Sequence, residues 1–448
     1  MKEVAFTGGK ALLSKINGEF YATSHLCPHY KAPLIKGVLS SDGRVMCPWH
    51  GACFRVQTGD IEDGPSVDGL QPFEVSVRSG KVYLKATESE LKAGKKVPTC
   101  TKTKSTPKDV TVIIGGGAGG LISAESLREH GYGGVIKIIS RESYLPIDRP
   151  KLSKAVKIDA NKIALRSKED FARLDIDITL GTEVTSVAPN EKKVTLSNGS
   201  TLKYNNLIIA TGGDPRVLPF PGKDLENIFV MRNVEDANNV ERAIAQLEGQ
   251  KPKVVIVGSS FIGMEAASIL AKIATVSVIG MEKYPFERVL GPKVGEAMYK
   301  LNERNGINLE MEKFVEKYEP LASDPKKVGA VVLKGGKSIP CNFVILGAGV
   351  IPKTDFLKSS GIPLDKDGGI TVDGSMNVPG FDGIYAIGDI ARYPYHLTGE
   401  NVRVEHWNVA QNQGRIAAQC IIAKKATGDI PVPLPVFKQV IVFILIMF

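Results

Sequence analysis

The sequence predicts a multidomain chain, a small all-β domain followed by tandem α/β units that are each built on a parallel sheet. Short alternating runs at 18–22, 73–77 and 82–84, broken by Gly, Pro and Ser-Asp clusters, fill the first 86 residues and read as strands. From Thr87 to Asp109 the chain is rich in Lys, Thr, Ser and Pro and poor in large apolar residues, which is the composition of a linker. Beyond it, 110–114, 121–130 and 135–139 give strand, helix, strand, and 254–257, 262–273 and 276–279 repeat the unit. The predicted boundaries are 1–90 for the β domain, 91–109 for the linker, 110–235 and 353–430 for two parts of the first α/β domain, 236–352 for the second, and 431–448 for an apolar tail.

At 448 residues the chain holds more than one core, and 43% apolar with 23% charged residues is the composition of globular domains. The formal net charge of +9 is spread thinly, with dispersed Lys and Arg and no motif that reads a base edge, so specific nucleic-acid binding is not expected. The opening MKEVAFTGGKALLSK has neither the apolar centre of a signal peptide nor the Arg- and Ser-rich pattern of a transit peptide. No run reaches the roughly 18 to 20 apolar residues of a transmembrane segment. Six unevenly spaced cysteines are too few for a disulfide scaffold. They point to metal or redox chemistry in a reducing, intracellular compartment, the cytoplasm or a mitochondrion.

Within the β domain, Cys27-Pro-His29 and Cys47-Pro-Trp-His50 are separated by seventeen residues. Two thiolates and two imidazoles suit the two inequivalent irons of a [2Fe–2S] cluster, with Cys27 and Cys47 on one iron and His29 and His50 on the other. A closed tetrahedral zinc site is the competing use of the same ligand types. Interleaving, one Cys and one His per loop, favours the cluster. The segments CPHYKAPL and CPWHGACF closely resemble the ligand loops of the Rieske ferredoxins. High-potential Rieske proteins carry an extra cysteine beside each loop, and none follows the first loop here, so the resemblance is to the low-potential branch. Cys53 then reads as a small buried residue.

Gly115-Gly-Gly117-Ala-Gly-Gly120 follows a strand, opens a helix and fits G-x-G-x-x-G. Gly115 permits the turn, Gly117 lets the backbone approach a pyrophosphate at the helix N-terminus, and Gly120 lets helix and sheet close up. Three further segments follow other strands: Arg149-Pro-Lys-Leu-Ser-Lys154, Ala210-Thr-Gly-Gly-Asp-Pro-Arg216 and Tyr385-Ala-Ile-Gly388-Asp389. Together the four resemble the FAD- and NAD-dependent pyridine-nucleotide oxidoreductases. The resemblance implies Rossmann-like FAD and NAD(P) domains, Asp389 on the ribityl chain, and Lys154 beside the flavin ring as a catalytic cation. It also implies Arg149 and Arg216 against phosphate charge and the Val184 backbone at the adenine. Where an acid usually binds the ribose the chain has Ser140, and Glu142 is the candidate in its place. No Cys-x4-Cys follows the loop, which excludes a dithiol beside the flavin.

At the second turn, Gly258-Ser-Ser-Phe-Ile-Gly263-Met-Glu265 has Ser260 where the family has its middle glycine. Gly280 occupies the usual acid position, with Glu282 two residues on and Lys283 and Arg288 nearby, so NADH and NADPH both stay open. By the same resemblance Trp407 is the aromatic at the flavin ring and a candidate catalytic residue; a core tryptophan is the plain alternative. A Rieske domain placed before the flavoprotein resembles the apoptosis-inducing-factor-like proteins. The resemblance implies a third, C-terminal α+β domain beside the flavin, which is expected to be missing here, where the sequence runs into Pro431-Val-Pro-Leu-Pro and an apolar run. The expected function is an NAD(P)H-dependent oxidoreductase that passes electrons through FAD to the Rieske cluster and on to an unknown acceptor. Apolar surface near Trp407 is expected to be uncovered, with weak FAD retention and self-association at that face. Two other readings are a cell-death signalling protein that uses the redox fold as a sensor, and the reductase component of an oxygenase or nitrite-reducing system.

Overall fold

The computed structural model describes residues 1–427 apart from 7, 97, 99, 101, 104–108, 155 and 156. The tail at 431–448, and the expectations attached to it, lie outside the described residues. The chain divides into two compact units: Met1–Pro146, Arg166–Gly212 and the chain from Thr354 form the first, and Ile147–Leu165 with Gly213–Lys353 the second.

The first unit begins with two antiparallel sheets. One has the strands Lys2–Phe6, Gly9–Ile16, Glu19–Ser24, Pro72–Arg78 and Lys81–Lys85, and the other Val38–Leu39, Arg44–Met46, Cys53–Arg55 and Ile61–Asp63. Period-two alternation sends Leu12, Val45, Phe54 and Val56 into one core, together with Leu34, Leu70, Cys27 and Cys47. Thr87-Glu88-Ser89-Glu90, inside the stretch read as linker, closes a capping box and opens the short helix Glu88–Ala93. Farther along, Pro98 and Thr103 are held by side chains of the α/β fold. Arg173 Nη1 donates to Pro98 O at 3.1 Å. The fully buried Arg128 uses all five of its N–H groups, on Thr103 Oγ1 and on the carbonyls of Tyr132, Gly134, Leu174 and Asp175.

The same unit contains a parallel sheet in the order Asp177–Thr179, Val135–Ile139, Val110–Ile114, Asn206–Ile209, Ile384–Ala386. Its inner strands are mostly apolar because both faces are covered, and Ile113, Ile138, Leu207 and Ile208 are fully buried. The helix Ala118–Glu129 packs on the helix Trp407–Thr427 through glycine: a Cβ on Gly414 would lie 2.6 Å from Gly119 O. Parallel order places the loops after Val110–Ile114, Asn206–Ile209 and Ile384–Ala386 at one end of the sheet, where open α/β folds bind ligands.

The second unit repeats the plan, with parallel strands in the order Ile228–Phe229, Phe343–Leu346, Lys253–Val257, Thr275–Ile279, Asn308–Glu310 and the helix Phe261–Leu270. A three-stranded antiparallel sheet, Val315–Leu321, Asp324–Leu333 and Ser338–Pro340, buries Val315, Tyr318 and Val331 against Val255 and Leu346 of the parallel sheet. Among the described residues no helix is long and apolar enough to cross a membrane.

Candidate functional site

Each ligand loop of the β domain closes on its own backbone. Cys27 N donates to Ala32 O at 2.9 Å and Lys31 N to Cys27 O at 2.9 Å; Cys47 N donates to Ala52 O at 2.8 Å and Gly51 N to Cys47 O at 3.1 Å. Positive φ at Lys31 (62°) and Gly51 (70°) lets the two turns tighten in the same way. They bring the like donors together. His29 Nδ1 and His50 Nδ1 are 3.2 Å apart, and Tyr30 stacks on the His29 ring at 3.8 Å. The thiols of Cys27 and Cys47 share a hydrogen bond, which with the N–H groups of His50 and Trp49 lowers the Cys47 pKa to about 6 against the effect of burial. The same contact and burial push Cys27 up.

The arrangement itself separates the two metal readings. One tetrahedral ion needs all four donors on one point, whereas two inequivalent irons need a sulfur pair and a nitrogen pair. Among the described residues no three His, Cys, Asp or Glu side chains converge on one metal-ion position, and the donors lie as Cys27 with Cys47 and His29 with His50. They fit the cluster. Backbone N–H groups aimed at the sulfurs are among the contacts that set a cluster's potential.

At the first glycine loop Gly115 has φ 111°, and a Cβ there would lie 2.3 Å from Ala210 O; one on Gly120 would lie 2.0 Å from Gly115 O. Backbone thus touches backbone on both sides of the turn. At Gly117, the N-cap of Ala118–Glu129, an added Cβ would meet nothing within 4 Å. That is an open cradle in front of unpaired helix N–H groups, which fits a pyrophosphate. Ser140 faces the loop, with its Oγ 3.1 Å from where a Cβ on Gly116 would stand, and Glu142 lies half-buried two residues on. Val184 is buried at the start of Val184–Ala188. Asp389 follows Ile384–Ala386, and its carbonyl accepts from Arg403 Nη1 at 2.8 Å. Trp407 Nε1 donates to Pro65 O at 3.2 Å, so the indole is held by a loop of the β domain.

In the second unit a Cβ on Gly258 (φ 118°) would lie 2.3 Å from Gly347 O, and one on Gly263 2.1 Å from Gly258 O. Ser260 stands at the N-cap of Phe261–Leu270 without a side-chain cap, which leaves the helix N–H groups open. Ser259 Oγ donates to Glu282 Oε2 at 3.2 Å, while Arg288 Nε is 3.8 Å from the other oxygen. A Cβ on Gly280 would fall 2.5 Å from Ser259 Oγ, so a side chain there would have to displace the serine hydroxyl. Lys154 Nζ donates to Glu265 Oε2 at 2.9 Å and to Pro150 O at 3.0 Å, and Ser153 Oγ bonds the same carboxylate oxygen. Sequence reasoning quoted Glu265 only as the last letter of the glycine motif and gave it no role. Arg149 Nη1 donates to Arg232 O, whereas the Arg216 side chain is exposed and its N–H bonds Gly349 O at 2.9 Å. Lys154, Arg149, Arg216, Gly258, Gly263 and Glu282 thus lie in the second unit, and the other candidate residues in the first.

The Rieske [2Fe-2S] domain family matches residues 1–74, and the pyridine nucleotide-disulphide oxidoreductase family matches residues 109–414. The chain belongs to the pyridine nucleotide-disulphide oxidoreductases. Apoptosis-inducing factor 3 of Homo sapiens is 41% identical to this oxidoreductase over 435 residues, which cover 95% of the chain and 70% of the relative. Putidaredoxin reductase of Pseudomonas putida is 31% identical over 323 residues, 70% of the chain and 75% of the relative. Among solved structures, a ferredoxin reductase from Rhodopseudomonas palustris matches with a TM-score of 0.67 at 29% identity, covering 74% of this chain and 78% of that one. A covalent putidaredoxin reductase–putidaredoxin complex matches with a TM-score of 0.66 at 30% identity, covering 73% and 78%.

These likenesses bear out the fold class, an all-β Rieske domain followed by FAD/NAD Rossmann-type domains, and the resemblance to the apoptosis-inducing-factor-like proteins. The oxidoreductase works by electron transfer, and its cofactors are a [2Fe–2S] cluster, FAD and NAD(P)H. All six cysteines are free.

Proposed function

We propose that this oxidoreductase oxidises NAD(P)H and delivers the two electrons one at a time, by way of its own iron–sulfur centre, to an external acceptor. The balance is NAD(P)H giving NAD(P)⁺, a proton and two electrons, with two one-electron acceptors reduced. Bound FAD supplies the exchange between hydride and single electrons, and the cluster supplies a one-electron relay. The observation that carries the reading is a Cys pair and a His pair in the same compact unit as the open Gly117 cradle.

In this reading Cys27, Cys47, His29 and His50 hold the cluster. The helix N–H groups behind Gly115, Gly117 and Gly120 bind the FAD pyrophosphate, Asp389 takes ribityl hydroxyls, Glu142 a ribose hydroxyl, and the Val184 backbone the adenine. Arg149 and Arg216 offset phosphate charge. Lys154 presents an ammonium to the flavin with its Nζ held by Glu265, and Trp407 is the aromatic of the flavin site. Gly258, Gly263 and Glu282 serve NAD(P)H. The domains divide at about 90, 109, 235 and 352, as strand–helix–strand arithmetic suggests. Free cysteines throughout support a reducing compartment, the cytoplasm or a mitochondrion. The name of the Homo sapiens relative supports a cell-death role as a second reading.

Purified protein should contain about two irons and two acid-labile sulfides per chain. Its flavin absorbance should bleach on adding NADH or NADPH, followed by the spectrum of a reduced cluster. His50→Ala should lose the cluster and keep FAD. Zinc without sulfide would sink the cluster assignment, and a flavin that neither coenzyme bleaches would sink the activity.

A further inference from the structure

The loop after Ile61–Asp63 makes contacts that neither ligand loop uses. Arg166, buried just ahead of the helix Lys168–Arg173, holds two carboxylates. Its Nε and Nη2 donate to Glu125 Oε1 at 2.6 Å and Oε2 at 3.1 Å, and its Nη1 lies 2.9 Å from Asp68 Oδ1. Nη2 also donates to Val67 O at 3.1 Å. Glu125 belongs to the helix that starts at the first glycine loop, whereas Val67 and Asp68 belong to the Rieske domain. Lys95 Nζ, 2.7 Å from the other Asp68 oxygen, makes the set two acids and two bases.

Neighbouring contacts run the same way. Asn412 Nδ2 donates to Asp63 Oδ1 at 3.0 Å, and Gln411 Nε2 to Pro65 O at 3.4 Å. Gly64 comes so close to the helix Trp407–Thr427 that a Cβ would lie 2.2 Å from Gln411 Oε1. A buried ion network adds little over apolar packing, but breaking it strands a charge in a poorly polarisable interior, so it favours one arrangement over many. Two described residues between the domains are also held, Thr103 by Arg128 and Pro98 by Arg173.

We infer that Arg166 is a positioning residue: it latches residues 63–68 onto the helix of the first glycine loop and fixes the Rieske domain against the flavin fold of its own chain. The latch stands on geometry, while its purpose, a set distance for electron transfer, rests on the function proposed above.

The test uses full-length holoprotein carrying Arg166→Met, which keeps apolar bulk and removes the charge. Amide hydrogen exchange over 63–69 should rise at least about tenfold, the signature of local opening. The absorption spectrum of the oxidised cluster and the rate of flavin bleaching by NADH should stay within about twofold, while cluster reduction after bleaching slows about tenfold or more. Should Arg166→Met fail to accumulate, Asp68→Asn removes charge without changing volume and carries the same test. Exchange within about twofold of the parent protein would overturn the latch. Faster exchange with an unchanged rate of cluster reduction would overturn the positioning role. Exchange reads the chain's own amides and needs no electron flow, so a protein that docks normally yet never oxidises NAD(P)H would sink the function and leave the latch standing.

Discussion

Between the first glycine loop and the second the backbone closure repeats closely: a Cβ on Gly120 would lie 2.0 Å from Gly115 O, and one on Gly263 2.1 Å from Gly258 O. Side chains then part company. The middle position is an open Gly117 in one loop and Ser260 in the other. On the helix that follows, Glu125 turns to Arg166 and the Rieske domain, whereas Glu265 turns to Lys154 within the second unit. Steric closure leaves no choice at the outer glycines, while the acid farther along the helix can turn either to Arg166 or to Lys154.

The sharpest way to break the comparison is to fill the shared contacts. Gly120→Ala and Gly263→Ala each drive a Cβ into a carbonyl oxygen of the turn, and each should cost about 3 kcal/mol or more. Thermal melts should register both losses, but only Gly120→Ala should shed the yellow flavin. Gly263→Ala should keep it and fail to bleach with NADH. If Gly263→Ala sheds flavin too, the loops do not serve separate nucleotides.

Burial pushes the Glu125 carboxyl from 4.5 up to about 7, opposed by Arg166 and reinforced by Asp68 and Glu129; Arg415 also faces this region. Because the folded value lies above the unfolded one, the contribution to stability is whole below the unfolded pKa and is lost as pH rises through about 7. Glu125→Gln should therefore flatten the unfolding free energy, measured in urea, between about pH 5 and 8. A slope as steep as that of the parent protein would show that other groups carry it.

The smallest effect belongs to the coenzyme. With Gly280 at the usual acid position, NADH and NADPH should differ by about 5- to 30-fold or less in kcat/KM, equivalent to about 1 to 2 kcal/mol. Glu282→Gln should move the ratio about tenfold toward NADPH by removing a charge that repels a 2′-phosphate. A ratio of several hundred in the parent protein would mean that Glu282, held by Ser259, or Lys283 has taken over the choice.

What was legible in the sequence is what repeats locally. Val110–Ile114 and Lys253–Val257 are apolar runs because strands covered on both faces have no solvent side, and the glycine loops show because no other residue fits their carbonyl contacts. The paired ligand loops announced themselves by spacing. Residue patterns could not place Lys154 on Glu265, since one closes a 3₁₀ turn and the other lies on a distant helix. Arg166, Glu125 and Asp68 escaped for the same reason, although an acid at helical spacing from Leu121, on a helix with hardly an exposed face, was a readable signal. At Thr87 the capping box was present in the letters, but lysine- and proline-rich surroundings read as linker. The resemblance assigned Trp407 to the flavin ring; only the fold showed its Nε1 on Pro65 O.

Arg166, with its Nε, Nη1 and Nη2 spent on Glu125, Asp68 and Val67, also changes what kind of event the meeting of redox domains is. Separate reductase and ferredoxin molecules must find each other, so their encounters thin out on dilution and lose electrostatic steering as salt rises. A domain pinned to its own neighbour is always at the meeting place. Its encounter is first order, set by neither concentration nor ionic strength, and a single isolated molecule is as well supplied with its redox partner as one in a concentrated solution.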